Sequence, residues 1–188
     1  MTSMWSEPRG LLWRVVRWYS RRKFGAVLAP ARVMAHQPKV LKAYLAYERA
    51  AQRWAGLDPD LKHLAVMAAA SKVGCPWCMD FSYWASEERG VPLEKARAVP
   101  EWRRASCFTA LERLVLEYAE AMTETPPTAD EALVGRLRQH LGEAQLVELT
   151  AVVALENMRS RTNRAYGLVS QGFSDSCAVG PGRVRPAA

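Results

Sequence analysis

Apolar residues recur at intervals of three and four along most of the chain, which is the spacing of one face of an α-helix. The series Leu111, Leu114, Val115, Tyr118 and Met122 shows this pattern. Alternation of apolar and polar residues, which is typical of half-buried strands, never lasts more than a few residues. The chain is therefore predicted to fold as an all-α domain of about six to eight helices.

Start and stop signals divide the pattern into separate helices. Asp58 followed by Pro59 is typical of a helix start, and Gly74 is typical of a helix end. Pro76 then suits the first turn of a new helix, which is predicted to run to about Glu88. The short segment between these two helices carries the most distinctive residues of the chain.

The sequence divides into three parts. Its 188 residues are enough for one domain with a buried core. Residues 1–23 form a basic N-terminal helix or arm, because six basic residues and one acidic residue give it +5 of the total charge of +7. Residues 24–171 form a nearly neutral all-helical domain, so no nucleic-acid partner is predicted. Residues 172–188, rich in Gly and Pro, are predicted to be a flexible C-terminal tail.

The N-terminal helix places Trp13, Val16 and Tyr19 or Ser20 at helical spacing. This face is predicted to dock on the body or on a neighbouring subunit and to leave the arginines solvated. The alternative is that the helix lies on an anionic membrane surface. Apolar runs are too short to span a bilayer, and residues 1–23 lack the unbroken apolar core of a signal peptide. We therefore expect a cytoplasmic protein.

Cys75 and Cys78 lie three residues apart in the segment Gly-Cys-Pro-Trp-Cys and therefore share one helix face. With Gly74 before it and Pro76 after it, Cys75 is predicted to open a helix. Free backbone N–H groups and the helix dipole favour the thiolate form of a cysteine at that position. The pattern therefore indicates a redox-active dithiol, and such a pair suits a cytosolic setting.

Two other interpretations of these cysteines remain open. A zinc site needs four ligands, whereas Cys107 and Cys177 are isolated and the three histidines (His36, His63 and His140) are scattered. The pair could also be two buried cysteines without chemistry. We predict no metal and no cofactor.

The segments Leu61–Val66 and Gly74–Asp80 resemble the core of the alkylhydroperoxidase D and carboxymuconolactone decarboxylase family. That core contains a Glu twelve residues before the first Cys, then C-x-x-C, then a His four residues after the second Cys. Weaker similarity extends over residues 20–172. The resemblance implies an all-α fold with the C-x-x-C at a helix N-terminus, and a homo-oligomer that is a trimer, a hexamer or a dimer.

The resemblance also implies thiol peroxidation. In this family chemistry Cys78 attacks the oxygen of a peroxide and becomes a sulfenic acid, and Cys75 resolves it as a disulfide. The expected partner is a peroxide or small organic substrate. The Glu and His of the family form a proton relay. The implied reductant is a dihydrolipoyl group or another thiol on a partner.

This chain departs from the family at both relay positions, because His63 replaces the Glu and Ser82 replaces the His. An imidazole could act as the only base, and a serine hydroxyl could contribute a hydrogen bond. We therefore predict that Cys75, Cys78, His63 and Ser82 form the catalytic site, with an altered relay. Glu156 and Asn157, on the last long helix, are expected to stabilise a helix or subunit contact rather than to touch substrate.

Three functions compete at this point. The first is a thiol-dependent peroxidase or thiol–disulfide oxidoreductase that acts through the dithiol. The second is a cofactor-free decarboxylase or lactone-processing enzyme, in which His63 acts on carbon acids and the cysteines are incidental. The third is an oligomeric binding protein that has lost catalysis. Retention of both cysteines favours the first.

Overall fold

A computed structural model describes residues 5–174 of the chain. Its helices are α1 (Leu11–Phe24), α2 (Ala29–Met34), α3 (Pro38–Ala51), α4 (Pro59–Val73), α5 (Pro76–Arg89), α6 (Leu93–Ala98), α7 (Ala110–Thr123), α8 (Glu131–Arg138) and α9 (Glu143–Ala165). Helix α4 lies at the centre of the fold, and its residues Leu64, Ala65, Met67 and Ala68 are buried around nearly the whole circumference. α4 packs against α7 and α9, and the run of alanines lets these neighbours approach closely.

The all-α prediction is confirmed, since residues 5–174 contain nine α-helices, one short 3₁₀ helix (Val99–Glu101) and no strand. The one helix that the sequence pattern did not indicate is α2, which has only six residues. None of the helices in this part of the chain combines the length and apolar character needed to cross a bilayer.

Helix α1 packs on the body through Trp13 and Ser20, which are both buried. Trp13 contacts a second, smaller apolar cluster with Met34 and Leu41. The Ser20 hydroxyl donates to the Ala26 carbonyl at 2.9 Å and accepts the N–H of Leu28 at 2.8 Å. The opposite face exposes a row of large apolar residues, here called the outer strip of α1: Leu11, Val15, Trp18 and Tyr19.

The sequence assigned residues 172–174 to the flexible tail, but in the structure they are held against α5. The carboxylate of Asp80, which is fully buried, accepts the backbone N–H groups of Gln171, Gly172, Phe173 and Ser174 at 2.7–3.2 Å. Four hydrogen bonds to one ionisable group outweigh the loop-like composition of this segment. The remainder of the predicted tail, 175–188, lies outside the described residues.

Candidate active site

The connection between α4 and α5 presents the two cysteines. Gly74 ends α4 in the left-handed conformation (φ 70°), which only glycine adopts without strain, and Cys75 is the extended N-cap residue of α5. The Cys75 Sγ accepts the backbone N–H of Cys78 at 3.3 Å, so the thiol takes the role that a serine or aspartate usually has at a cap. The predicted placement of the dithiol at a helix N-terminus is confirmed.

The two thiols affect each other's pKa. Cys78 donates its S–H to Cys75, and this hydrogen bond, together with the backbone N–H, lowers the pKa of Cys75 against the opposing effect of burial. The same hydrogen bond, burial and the nearby Glu156 carboxylate raise the pKa of Cys78. The relative exposure of Cys75 is 0 % and that of Cys78 is 4 %, so the thiol that keeps its proton is also the more accessible one.

Helix α9 completes the site with three polar residues, Glu156, Ser160 and Asn163, which are all buried. They lie at positions i, i+4 and i+7 of one helix face. The Asn163 side-chain N–H₂ donates to the Cys78 Sγ at 3.3 Å, and the Ser160 hydroxyl donates to Glu156 Oε1 at 2.6 Å. Ser160 also lies close to both thiols. The Asn163 Oδ1 is buried and has no hydrogen-bond partner within residues 5–174, so it offers an acceptor to a water or a substrate.

Glu156 is the carboxylate next to the dithiol. Burial raises its pKa, while Arg159, Ser160 and the Cys78 thiol oppose this rise by stabilising the ionised form. A carboxylate beside a thiol can act as the acceptor of the thiol proton. Sequence reasoning did not place Glu156 beside the thiols, although Glu156 and Asn163 do interrupt an otherwise apolar face of α9.

A second carboxylate limits how strongly Arg159 can stabilise the ionised form of Glu156. Arg159 donates to both carboxylate oxygens of Glu48 on α3, at 2.7 and 2.5 Å, whereas its contact with Glu156 Oε2 is longer, at 3.2 Å. Tyr44 lies beside Glu48, and burial raises its pKa, so it stays neutral. One guanidinium therefore pairs with two carboxylates. With both carboxylates ionised, Arg159, Glu48 and Glu156 together carry one net negative charge. This excess acts in the same direction as burial, which raises the pKa of Glu156.

The structure places His63 against the part of α5 that carries Ser82 and Ser86. The His63 Nε2 lies 2.6 Å from the Ser86 hydroxyl, and Ser86 donates in turn to the Ser82 carbonyl at 2.9 Å. His63 therefore acts as the donor at this nitrogen. Ser86 follows Cys78 by two helical turns, about 12 Å along the axis of α5. The nitrogen of His63 that faces α5 is thus occupied well away from the thiols.

Burial, with a contribution from the Arg89 charge, lowers the pKa of His63 to about 4. The imidazole is therefore neutral at physiological pH. Of the four predicted site residues, the structure brings Cys75 and Cys78 together and pairs His63 with the Ser82 segment. The catalytic roles of all four stay predictions.

Trp77, between the cysteines, forms a wall beside the dithiol. Its indole N–H donates to the Gln171 side-chain carbonyl at 2.6 Å, and its ring stacks on Phe81 at 5.2 Å between centroids. These contacts hold Trp77 and the first turn of α5 in place. Within residues 5–174, no group of three or more His, Cys, Asp or Glu side chains could hold a metal ion.

Comparisons with known proteins agree with this architecture. A sequence model of the carboxymuconolactone decarboxylase family matches residues 38–121. The uncharacterized protein YnjA of Escherichia coli (strain K12) is 36% identical over 164 residues, which cover 87% of this chain and 90% of YnjA.

Two solved structures show the same fold. The debrominase Bmp8 superposes with a TM-score of 0.79 at 18% identity, covering 92% of this chain and 95% of Bmp8. ATU0492 of Agrobacterium tumefaciens, described as a putative antioxidant defence protein AhpD, superposes with a TM-score of 0.69 at 24% identity. That superposition covers 73% of this chain and 94% of ATU0492.

Proposed function

Because the chain belongs to the alkylhydroperoxidase D-like and carboxymuconolactone decarboxylase family, we propose that it is a dithiol oxidoreductase that reduces peroxides through Cys75 and Cys78. The observation that carries this proposal is the hydrogen-bonded cluster at the start of α5. It places the two thiols in contact with each other and with the buried carboxylate of Glu156.

Cys78 is the attacking thiol in this proposal, since it is the more accessible of the two. Its raised pKa means that it needs a base, and the Glu156 carboxylate accepts the proton. The Cys78 thiolate then attacks the terminal oxygen of the hydroperoxide and breaks the O–O bond, which forms a sulfenic acid. The departing alkoxide takes the proton from Glu156 and leaves as an alcohol.

Cys75 resolves the sulfenic acid. Its thiolate, stabilised by the N-cap position, attacks the sulfur of Cys78 and displaces hydroxide, which leaves as water after protonation. The net change is two thiols and one hydroperoxide converted to one disulfide, one alcohol and one water. A dihydrolipoyl group or another dithiol then reduces the disulfide by thiol–disulfide exchange.

The proposal moves the role of proton acceptor from His63 to Glu156. The nitrogen of His63 that faces α5 donates to Ser86, and two helical turns separate Ser86 from Cys78. Glu156 lies close enough to the Cys78 thiol for its charge to raise the pKa of that thiol. The carboxylate that the family places on the helix before the dithiol is replaced here by one from the last helix.

The test is turnover of cumene hydroperoxide by the full-length protein with dithiothreitol as reductant. Glu156→Gln keeps the shape of the side chain but removes the base, so we expect a loss of about 100-fold or more in kcat/KM. His63→Gln is the matched control, because it preserves an amide donor toward Ser86, and it should keep most of the activity. Cys78→Ser should abolish turnover, whereas Cys107→Ser should not change it.

The opposite pattern of activities in these variants would support His63 as the base, as the sequence predicts. If His63→Gln were inactive and Glu156→Gln fully active, Glu156 would not be the base. If neither the wild type nor any variant turned over peroxide, the result would favour the lactone-processing enzyme or the non-catalytic binding protein over the peroxidase. The thiol–thiol hydrogen bond argues against both alternatives, because neither needs two cysteines in contact.

A further inference from the structure

A cavity of about 470 Å³ lies between α1, α2 and the segment after α9, and neither cysteine of the dithiol lines it. Its volume falls within the range of small-molecule pockets, about 300–1,000 Å³. Trp13 and Val27 form apolar parts of its wall, and Gln171 closes one side. The Gln171 amide is fixed by Ala29, Trp77 and Val27, so this side of the cavity is preformed.

Three arginines and one carboxylate line the cavity: Arg17, Arg21, Arg32 and Glu7. Glu7 lies 3.5 Å from Arg17 and 3.3 Å from Arg32, and it also accepts the indole N–H of Trp13. Arg21 forms no ion pair with any residue between 5 and 174. The cavity therefore carries a formal excess of two positive charges, although residues 24–171 as a whole are nearly neutral.

Two features of these arginines point to a missing anion. Arg17 and Arg21 are one turn apart on α1, and like charges at this spacing repel each other unless a counter-charge lies between them. The single carboxylate of Glu7 is shared between Arg17 and Arg32, at 3.5 and 3.3 Å. One carboxylate between two guanidinium groups leaves positive charge that an anionic ligand would balance.

We propose that this cavity binds a phosphate monoester with an apolar organic group. A phosphate monoester carries close to two negative charges at neutral pH, which matches the excess charge of the cavity. Guanidinium groups bind such oxygens in paired hydrogen bonds. The apolar wall at Trp13 and the volume beyond the arginines accommodate the organic group.

The test is isothermal titration calorimetry of the full-length protein with phenyl phosphate as probe, at about 0.15 M salt to suppress diffuse electrostatic binding. Phenyl phosphate should bind at one site, and more tightly than either inorganic phosphate or benzoate. Arg21→Ala should weaken binding about tenfold, the effect of losing one charge-assisted contact. Because Arg21 is exposed and forms no ion pair with the described residues, this change should leave the fold intact.

Arg22→Ala is the matched control. Arg22 is an exposed arginine on the same helix, but it does not line the cavity, so its variant should bind phenyl phosphate like the wild type. An equal loss in Arg21→Ala and Arg22→Ala would reveal non-specific attraction to a basic helix and overturn the proposal. Binding of benzoate as tight as that of phenyl phosphate, or no binding at millimolar probe, would overturn it as well.

Discussion

The buried His63 makes the stability of this protein depend on pH. Its pKa lies at about 4 in the folded state, compared with an ordinary value of 6.5, because burial and the Arg89 charge disfavour the imidazolium. Between these two values the unfolded chain binds a proton at His63 and the folded chain does not. Acidification therefore favours unfolding, and stability is lost as the pH falls from about 6.5 toward 4.

The size of this effect follows from the difference between the two pKa values. Each pKa unit corresponds to about 1.4 kcal/mol, so His63 should remove about 2 kcal/mol of unfolding free energy between pH 7 and pH 5. The loss should reach about 3 kcal/mol by pH 4, where the folded state begins to bind the proton as well. This is a large part of the stability of a typical domain.

Urea unfolding at pH 7, 5 and 4, followed by circular dichroism, measures the loss. Other groups also titrate in this range, so the wild type must be compared with His63→Gln, which can donate to Ser86 but cannot ionise. The variant should lose about 2 kcal/mol less than the wild type between pH 7 and 5. His36→Gln, at an exposed histidine, is the matched control and should follow the wild type.

Parallel loss in the wild type and His63→Gln would refute this reasoning. It would mean that His63 titrates in the folded protein much as it does in the unfolded chain. The imidazole would then be accessible to water, and the argument that it is a neutral donor held by Ser86 would fail with it.

Three further results are expected. Glu48→Gln removes the second carboxylate that pairs with Arg159, so Arg159 should stabilise ionised Glu156 more strongly and lower its pKa. The acid limb of the pH profile of peroxide turnover should then move to lower pH. An unchanged acid limb would contradict the inference that Glu48 and Glu156 share Arg159. Asp58→Ala removes the side-chain acceptor that caps α4 and should cost about 1 kcal/mol in urea unfolding, so an unchanged midpoint would show that the cap is dispensable. The outer strip of α1 leaves large apolar residues uncovered, and light scattering should therefore find a homo-oligomer; a single species of 21.0 kDa would exclude one.

The sequence alone determined the helices and the position of the dithiol within them, because these depend on residues only a few positions apart. Asp58 caps α4 by accepting N–H groups two and three residues further on. Gly74 adopts the left-handed conformation that ends α4, and Thr109 and Glu112 form the reciprocal capping box that their spacing indicates. The helix start at Cys75 is a local property in the same sense.

Only the tertiary structure decided which groups surround the thiols. Asn163 contacts Cys78 across 85 residues of sequence, and Glu156 reaches the same thiol from α9. His63 lies at the position that the family motif gives to a carboxylate, and its Nε2 pairs with Ser86. A motif position fixes where a residue lies along its helix. The partners of its side chain depend on which helices pack against that face, and here α9 supplies the carboxylate that α4 lacks.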